Sequence, residues 1–309
     1  MSHEISSPPK KPLNPSAAGR TTEPLTFTYR WQDAALYALG IGAGPRELGF
    51  VYEGQAGDAP MKVFPTYAVI PTYEACKAMF DVVGGDFGGV VHGAQMIRLH
   101  KPFAPSGTLT TIGKVAHVGD LRRMAQVVFS TETRDEAGEL VCETEWTIMY
   151  LLDGGFGGEA PPKSVRVRAP ERAADWTVEY PTSASQALLY RLSGDLNPLH
   201  ADPRAAEKAA KVTEGRPILH GLCTYGYIGR ALVEHECGGD PSKLKLFAGR
   251  FSKPVWPGET LVVSGWREDG RVIVQAGTKE HPEEPVFSNS WAEVSRASGA
   301  QDGATPPPR

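Results

Sequence analysis

Residues Pro217–Cys237 read PILHGLCTYGYIGRALVEHEC. Apolar side chains recur at Leu219, Leu222, Cys223, Tyr225, Ile228, Leu232 and Val233, nearly all round a 3.6-residue period. A helix that is apolar on most sides is a buried one. Gly221, Gly226 and Gly229 each cost about 1 kcal/mol of helix propensity. They are tolerable only where something packs or binds closely. Downstream, Leu244–Phe251, Thr260–Trp266, Val272–Thr278 and Val286–Val294 read as strands, with a hairpin turn at Glu268–Gly270. An antiparallel sheet with one polar face needs an apolar object against the other. The helix beginning near His220 is that object.

A helix wrapped by an antiparallel sheet is the hot-dog arrangement, and an internal repeat predicts it twice. KPFAPSGTL at Lys101–Leu109 matches KPVWPGETL at Lys253–Leu261, VHG at Val91–Gly93 matches LHG at Leu219–Gly221, and YALG at Tyr37–Gly40 echoes YRLSG at Tyr190–Gly194. The spacing from His220 to Lys253 is long, whereas that from His92 to Lys101 is short. The fold class is therefore α+β, a double hot-dog of two antiparallel sheets, with a full-length central helix only in the C-terminal repeat. The N-terminal sheet is expected to leave an apolar groove for a long hydrophobic ligand, unless a segment such as Tyr73–Val82 fills it. The boundaries read as a disordered tail at 1–24, an N-terminal unit at 25–153, a linker at 154–163 (GGFGGEAPPK over Gly154–Lys163), a C-terminal unit at 164–296 and a disordered tail at 297–309.

Within the first unit, Trp31–Leu39 and Tyr73–Val82 read as short helices. Leu48–Tyr52, Val63–Ile70, Met96–His100, Leu109–Val118 and Met124–Glu132 read as extended segments, the last pairing with Glu139–Leu152 across a turn at Asp135–Gly138. The second unit opens with a strand around Ser164–Arg168, then helices over Ser183–Arg191 and Pro203–Val212.

Bulk properties narrow the function. The 309 residues carry a net charge of −4, without the basic excess of a nucleic-acid or anionic-membrane binder. No apolar run reaches the length of a membrane span, the N-terminus has no apolar signal core, and the C-terminal residues carry no peroxisomal tripeptide. Cys76, Cys142, Cys223 and Cys237 show no C-x-x-C pairing or metal spacing, so they read as buried thiols in a reducing cytoplasm, with no metal expected.

Chemistry concentrates in Leu189–His200, LYRLSGDLNPLH. Pro198 biases Asn197 away from the helical region, and Gly194 and Asn197 suit tight backbone. A stiff loop projecting Asp195 and His200 toward one point is a plausible acid/base pair. The same G-D-x-N-P chemistry also makes ordinary turns. The N-terminal copy has no Asp and His after its YALG, so it contributes shape rather than chemistry.

YRLSGDLNPLHADPRAA resembles the signature of the (R)-specific enoyl-CoA hydratases, the MaoC-like or hydratase 2 family. PILHGLCTYGYIGRAL, GRFSKPVWPGETL, YALGIGAG, VHGAQ and GGFGG resemble the hydratase 2 domain of peroxisomal multifunctional enzymes, from about Tyr29 to Val294. The resemblance implies reversible hydration of trans-2-enoyl-CoA to (R)-3-hydroxyacyl-CoA in β-oxidation or related acyl-CoA metabolism. It makes Asp195 and His200 the catalytic pair. Asn197 would hold the water or the loop. The backbone N–H of Gly221, at a helix start, would hold the thioester oxyanion. It further implies acyl-CoA contacts at His92, Gly93 and Phe251. Where the family places a CoA-contacting lysine, this chain reads GDLRRM, with Arg122 as the substitute cation. Arg250 and Lys253 are weaker candidates of the same kind. His220 is expected to anchor the helix start rather than to react.

The coenzyme A thioester is substrate, so no cofactor is expected, and a monomer or homodimer suffices. Two other readings compete, a hot-dog thioesterase attacking C1 and a non-catalytic acyl-CoA or acyl-carrier binding module. The D-x-N-P-x-H pattern argues against the first, and the presence of both Asp195 and His200 against the second.

Overall fold

Strict alternation builds the sheet. In Ala125–Asp135 every second side chain from Ala125 to Thr133 is buried, and Leu140–Tyr150 alternates in the same way near its end. Such period-two burial leaves one face for a core and one for solvent. In a computed structural model describing residues 11–54, 60–162 and 166–295, ten strands form one antiparallel sheet. They are β1 (Leu25–Tyr29), β2 (Val90–Leu99), β3 (Gly107–Asp120), β4 (Ala125–Asp135), β5 (Leu140–Tyr150), β6 (Trp176–Pro181), β7 (Leu244–Phe251), β8 (Thr260–Glu268), β9 (Arg271–Thr278) and β10 (Phe287–Val294). Their order is β1-β3-β4-β5-β2-β7-β10-β9-β8-β6, the same five-strand order read inward from either edge. The two expected sheets thus meet along β2 and β7, where Ala94 pairs with Arg250 and Arg98 with Leu246.

Seven α-helices accompany the described strands: α1 (Trp31–Gly40), α2 (Leu48–Val51), α3 (Tyr73–Val83), α4 (Gln186–Tyr190), α5 (Pro203–Lys208), α6 (Ala210–Thr213) and α7 (Gly221–His235). Helix α7 is the buried one that its sequence requires, with Leu222 through Val233 all inaccessible. Its glycines mark close approaches. A Cβ at Gly226 would stand 2.3 Å from Ile41 Cγ2, and one at Gly229 would stand 2.4 Å from Thr66 Cγ2. The neighbours that demand glycine therefore come from the first half of the chain.

Several expectations change. The repeat symmetry makes β2 the counterpart of β7, and each is preceded by a helix, α3 and α7 respectively. The match of VHG to LHG is accidental, since Val91–Gly93 lies in β2 whereas Leu219–Gly221 leads into α7. The N-terminal sheet has a shorter covering helix, α3, which packs on the face where the groove is expected. Met79 and Ala75 of α3 press on Gly113 of β3, close enough that a Cβ at Gly113 would stand 2.9 Å from Met79 Cε.

Leu48–Tyr52 and Val63–Ile70 are not strands but α2 and a 3-10 turn over Pro65–Val69. Pro65 fixes φ and lacks the N–H that a ladder needs. The apolar run around it is buried by packing on α7 instead. Pro203–Val212 breaks at Ala209 into α5 and α6.

Residues 11–24 do not form a disordered tail. Gly19 N–H bonds Val115 O, Thr22 N–H bonds Gly113 O, and Ala17 is fully buried, because the segment runs along β3. The N-terminal part of that tail and the tail at 297–309 lie outside the described residues, as do Ser164 and Val165 of the strand expected at Ser164–Arg168; residues 166–168 are not a strand. Gly154–Pro162 carries no regular element and is tied to β3 by Asp120, whose carboxylate accepts from Gly155 N–H and Gly157 N–H.

Candidate active site

Local hydrogen bonds shape Leu189–His200. Helix α4 passes into a 3-10 turn at Arg191–Ser193 that ends on Gly194, whose φ of +126° L-residues rarely adopt. Asp195 Oδ1 accepts the Asn197 backbone N–H at 3.1 Å, and Asn197 Oδ1 accepts the Leu199 N–H at 3.0 Å. With Pro198 opening it, a last 3-10 turn, Pro198–His200, swings His200 inward. These Asx-type turns make the loop stiff without helix or strand.

His200 is buried, and its Nδ1 lies 2.9 Å from Ile218 O. A carbonyl only accepts, so Nδ1 carries the proton and Nε2 presents the lone pair. His220 stacks on His200 with ring centroids 3.8 Å apart and planes 26° apart. By the same logic His220 Nε2–H donates to Asp195 O at 3.2 Å, and its buried Nδ1 has no partner among the described residues. His220 thus does more than stand at the helix start: it ties the start of α7 to the loop that carries the acid.

Burial depresses the basicity of all three nearby imidazoles. His200 lies below the ordinary histidine range through burial, an effect that Asp195 partly offsets. Burial and the neighbouring His200 push His220 down to about 3, and burial pushes His92 down to about 4. All three rings are neutral near pH 7.

Asp195, His200 and His220 bring potential ligand atoms within 4.8 Å of one another. The same atoms are close enough to share a single water.

Gly221 opens α7 directly beside this cluster, with no side chain capping the helix. The first backbone N–H groups of a helix lack intrahelical partners and carry partial positive charge. A Cβ at Gly221 would meet Phe251 Cδ1 at 3.3 Å, so Phe251 flanks the helix start. Phe251 in turn lies 4.9 Å from the ring of His92, which stacks on Trp146 at 5.1 Å and 6°. His92 Nε2–H donates to Ala94 O across the bulge at Gly93. The structure therefore gathers Asp195, Asn197, His200, Gly221, Phe251, His92 and Gly93 around one region. As a neutral ring, His92 can form a wall there but cannot serve as a phosphate-binding cation.

Arg122 stands apart. It is exposed in the β3–β4 turn with φ of 70°, and its backbone N–H bonds Asp120 Oδ1. Ala125, Tyr150 and Val90 sit abreast, so this turn shares a sheet end with His92 without touching the cluster. Lys253 pairs with Glu284 at 3.1 Å on the surface.

Two residues in this region were not singled out from the sequence. Tyr73, at the start of α3, donates its hydroxyl to Asp195 Oδ1 at 2.9 Å. Trp146, on β5, lies between Tyr73 and His92. Neither belongs to a motif, and only the packing of the first half against the second brings them here.

The chain matches two family models, the MFE-2 hydratase 2 N-terminal domain over residues 27–151 and the MaoC like domain over residues 166–284. It is 41% identical to 3-hydroxyacyl-thioester dehydratase Y of Mycobacterium tuberculosis, over 84% of this chain and 90% of the relative. It is 38% identical to the peroxisomal enoyl-CoA hydratase 2 of Arabidopsis thaliana, over 82% and 87% of the two chains. Among solved structures, a MaoC-like dehydratase from Phytophthora capsici superposes with a TM-score of 0.83 at 30% identity, covering 94% of this chain and all of the other.

Proposed function

We infer the reaction of this chain from its family, for it belongs to the MaoC-like, hydratase 2 proteins: it hydrates trans-2-enoyl-CoA to (R)-3-hydroxyacyl-CoA, reversibly, as a hydro-lyase of fatty acyl-CoA metabolism. One observation carries the assignment to this site. Asp195 and His200 converge on a single point next to the uncapped start of α7.

The geometry supports the following roles. A water shared by the Asp195 carboxylate and His200 Nε2 attacks C3 of the enoyl thioester. His200 is the base, since its Nε2 holds a free lone pair and its Nδ1 proton is committed to Ile218 O. As the C3–O bond forms, the C2=C3 pair moves to the thioester as an enolate, which the Gly221 N–H holds. A donor of this kind typically contributes about 2.7–4 kcal/mol to the transition state. The proton taken from water returns to C2 by way of Asp195, so one water is consumed and no net proton is released. Asn197 fixes the loop through its bond to the Leu199 N–H. Phe251, His92 and Gly93 flank the thioester, and Arg122 meets the CoA phosphates at the sheet end. No cofactor takes part in these steps.

Among the described residues no helix is long and apolar enough to cross a membrane. All four cysteines are buried and free, which supports a reducing, cytoplasmic setting. Acid, base and oxyanion donor lie in one chain, so a monomer is sufficient and a homodimer is compatible.

The test is an incubation with a medium-chain trans-2-enoyl-CoA, following the conjugated-thioester absorbance and free thiol together. Loss of absorbance without thiol, giving product oxidised by an (R)-specific 3-hydroxyacyl-CoA dehydrogenase, is expected. Thiol release with the double bond intact would make the chain a thioesterase, and neither signal would leave a binding module.

A further inference from the structure

The acid and base of the reaction lie in the second half, but the Asp195 carboxylate is also held by the first. Tyr73 is the opening residue of α3, and its phenol reaches across to donate to Asp195 Oδ1 at 2.9 Å. We propose that Tyr73 is a positioning residue for the hydration, holding the Asp195 carboxylate so that Oδ2 faces the reacting water. The inference rests on the hydratase reading above.

Three observations support it. Oδ1 already accepts the Asn197 N–H, and with the Tyr73 hydroxyl added it has two donors, which fixes the plane of the carboxylate and leaves Oδ2 with no partner among the described residues. Burial and the negative charge of Asp195 keep the Tyr73 phenol protonated well above its ordinary range, so it remains a donor at any working pH. The Tyr73 ring is also placed by packing rather than left to wander. It lies 6.4 Å from the ring of Trp146, which stacks on His92, which packs on Phe251 beside Gly221. A continuous aromatic wall therefore runs from the acid to the oxyanion donor, and a side chain fixed in this way loses little entropy on making its hydrogen bond.

The titratable and charged groups around Asp195 are His200 and His220 from the second half, Arg191 and Tyr190 on the approach to the loop, and His92, Tyr73 and Glu74 from the first half. The three histidines are neutral near pH 7, so Tyr73 is the group whose hydroxyl can be removed without changing any charge.

The experiment compares wild type with Tyr73→Phe, which keeps the ring contact to Trp146 and removes only the hydroxyl. Steady-state kinetics with a trans-2-enoyl-CoA would be measured across pH. For Tyr73→Phe, kcat should fall about ten- to hundredfold with KM within about twofold. Tyr73→Gln, which keeps a donor but not the ring, should recover part of the lost kcat, and it serves if the phenylalanine variant does not fold. A kcat within about twofold of wild type for Tyr73→Phe, a loss carried by KM rather than kcat, or a faster variant with lower KM would each overturn the proposal. A wild-type chain inactive on enoyl thioesters would instead overturn the reaction assignment, so the two failures are distinct.

Discussion

At the residue scale, the site turns on two imidazoles in contact. Stacked and buried, His200 and His220 are distinguished by their partners: His200 gives its Nδ1–H to the Ile218 carbonyl and keeps Nε2 free, and His220 spends its N–H on the Asp195 carbonyl. Asp195→Asn and His200→Gln should each lower kcat by about 10²- to 10⁴-fold while circular dichroism and thermal melting stay near wild type. A near-normal rate in either variant would contradict the roles given above. His220→Phe keeps the stack but loses the donor to Asp195 O. Its effect should be smaller than that of His200→Gln, and a larger loss would make His220 the base.

At the element scale, α7 shows how an unfavourable helix sequence is made favourable by packing. Its glycines cost helix propensity, yet Gly226 and Gly229 sit where first-half side chains leave no room for a Cβ. Gly229→Ala gains propensity but drives its Cβ to 2.4 Å from Thr66 Cγ2. Thr66 is fully buried on the Pro65–Val69 turn, so it has little freedom to yield. The net effect should be destabilisation by about 1–3 kcal/mol, read as a lower urea midpoint. Adding Thr66→Ser deletes the clashing methyl and should restore much of the loss. If Gly229→Ala alone is neutral, the contact between the halves is looser than this packing implies.

At the scale of the whole molecule, the two repeats behave as one body. They share the β2–β7 seam, and their echoed motifs meet: Gln186 Nε2–H donates to Gly40 O at 2.7 Å, and the rings of Tyr37 and Tyr190 lie 6.1 Å apart. Neutral histidines in this shared interior make the fold acid-sensitive. His92, His200 and His220 all have folded pKa values below the ordinary histidine value of about 6.5. Between the folded and unfolded values the unfolded chain binds more protons, so stability rises with pH in that window. Their contribution is fully present above about pH 6.5 and is lost as pH falls toward the folded values. Chemical denaturation at stepped pH should show a fall in stability from about pH 6.5 down to 4.5, before most carboxylates titrate. A flat profile across that window would mean that the rings are solvated.

Much of this was legible in the chain. The all-round apolar pattern of Pro217–Cys237 marked the buried helix, period-two alternation marked the strands that carry the sheet, and G-D-x-N-P-x-H marked Asp195 and His200 because turn chemistry is local. The duplication was legible too, through KPFAPSGTL and KPVWPGETL. Local pattern misled where tertiary burial decided. Val63–Ile70 is apolar enough for a strand, but Pro65 and packing on α7 at Gly229 make it a 3-10 turn. VHG and LHG look alike yet occupy different elements, so matching them hides that Tyr73–Val83, which the sequence offers only as an alternative filler, is the counterpart of α7. The same rule governs the site. The sequence by itself put Asp195 and His200 forward as a candidate acid/base pair, because both lie on one short loop. Only the tertiary structure brought Tyr73 to Asp195 and stacked His220 on His200, because those contacts depend on how distant segments pack, which no local spacing records.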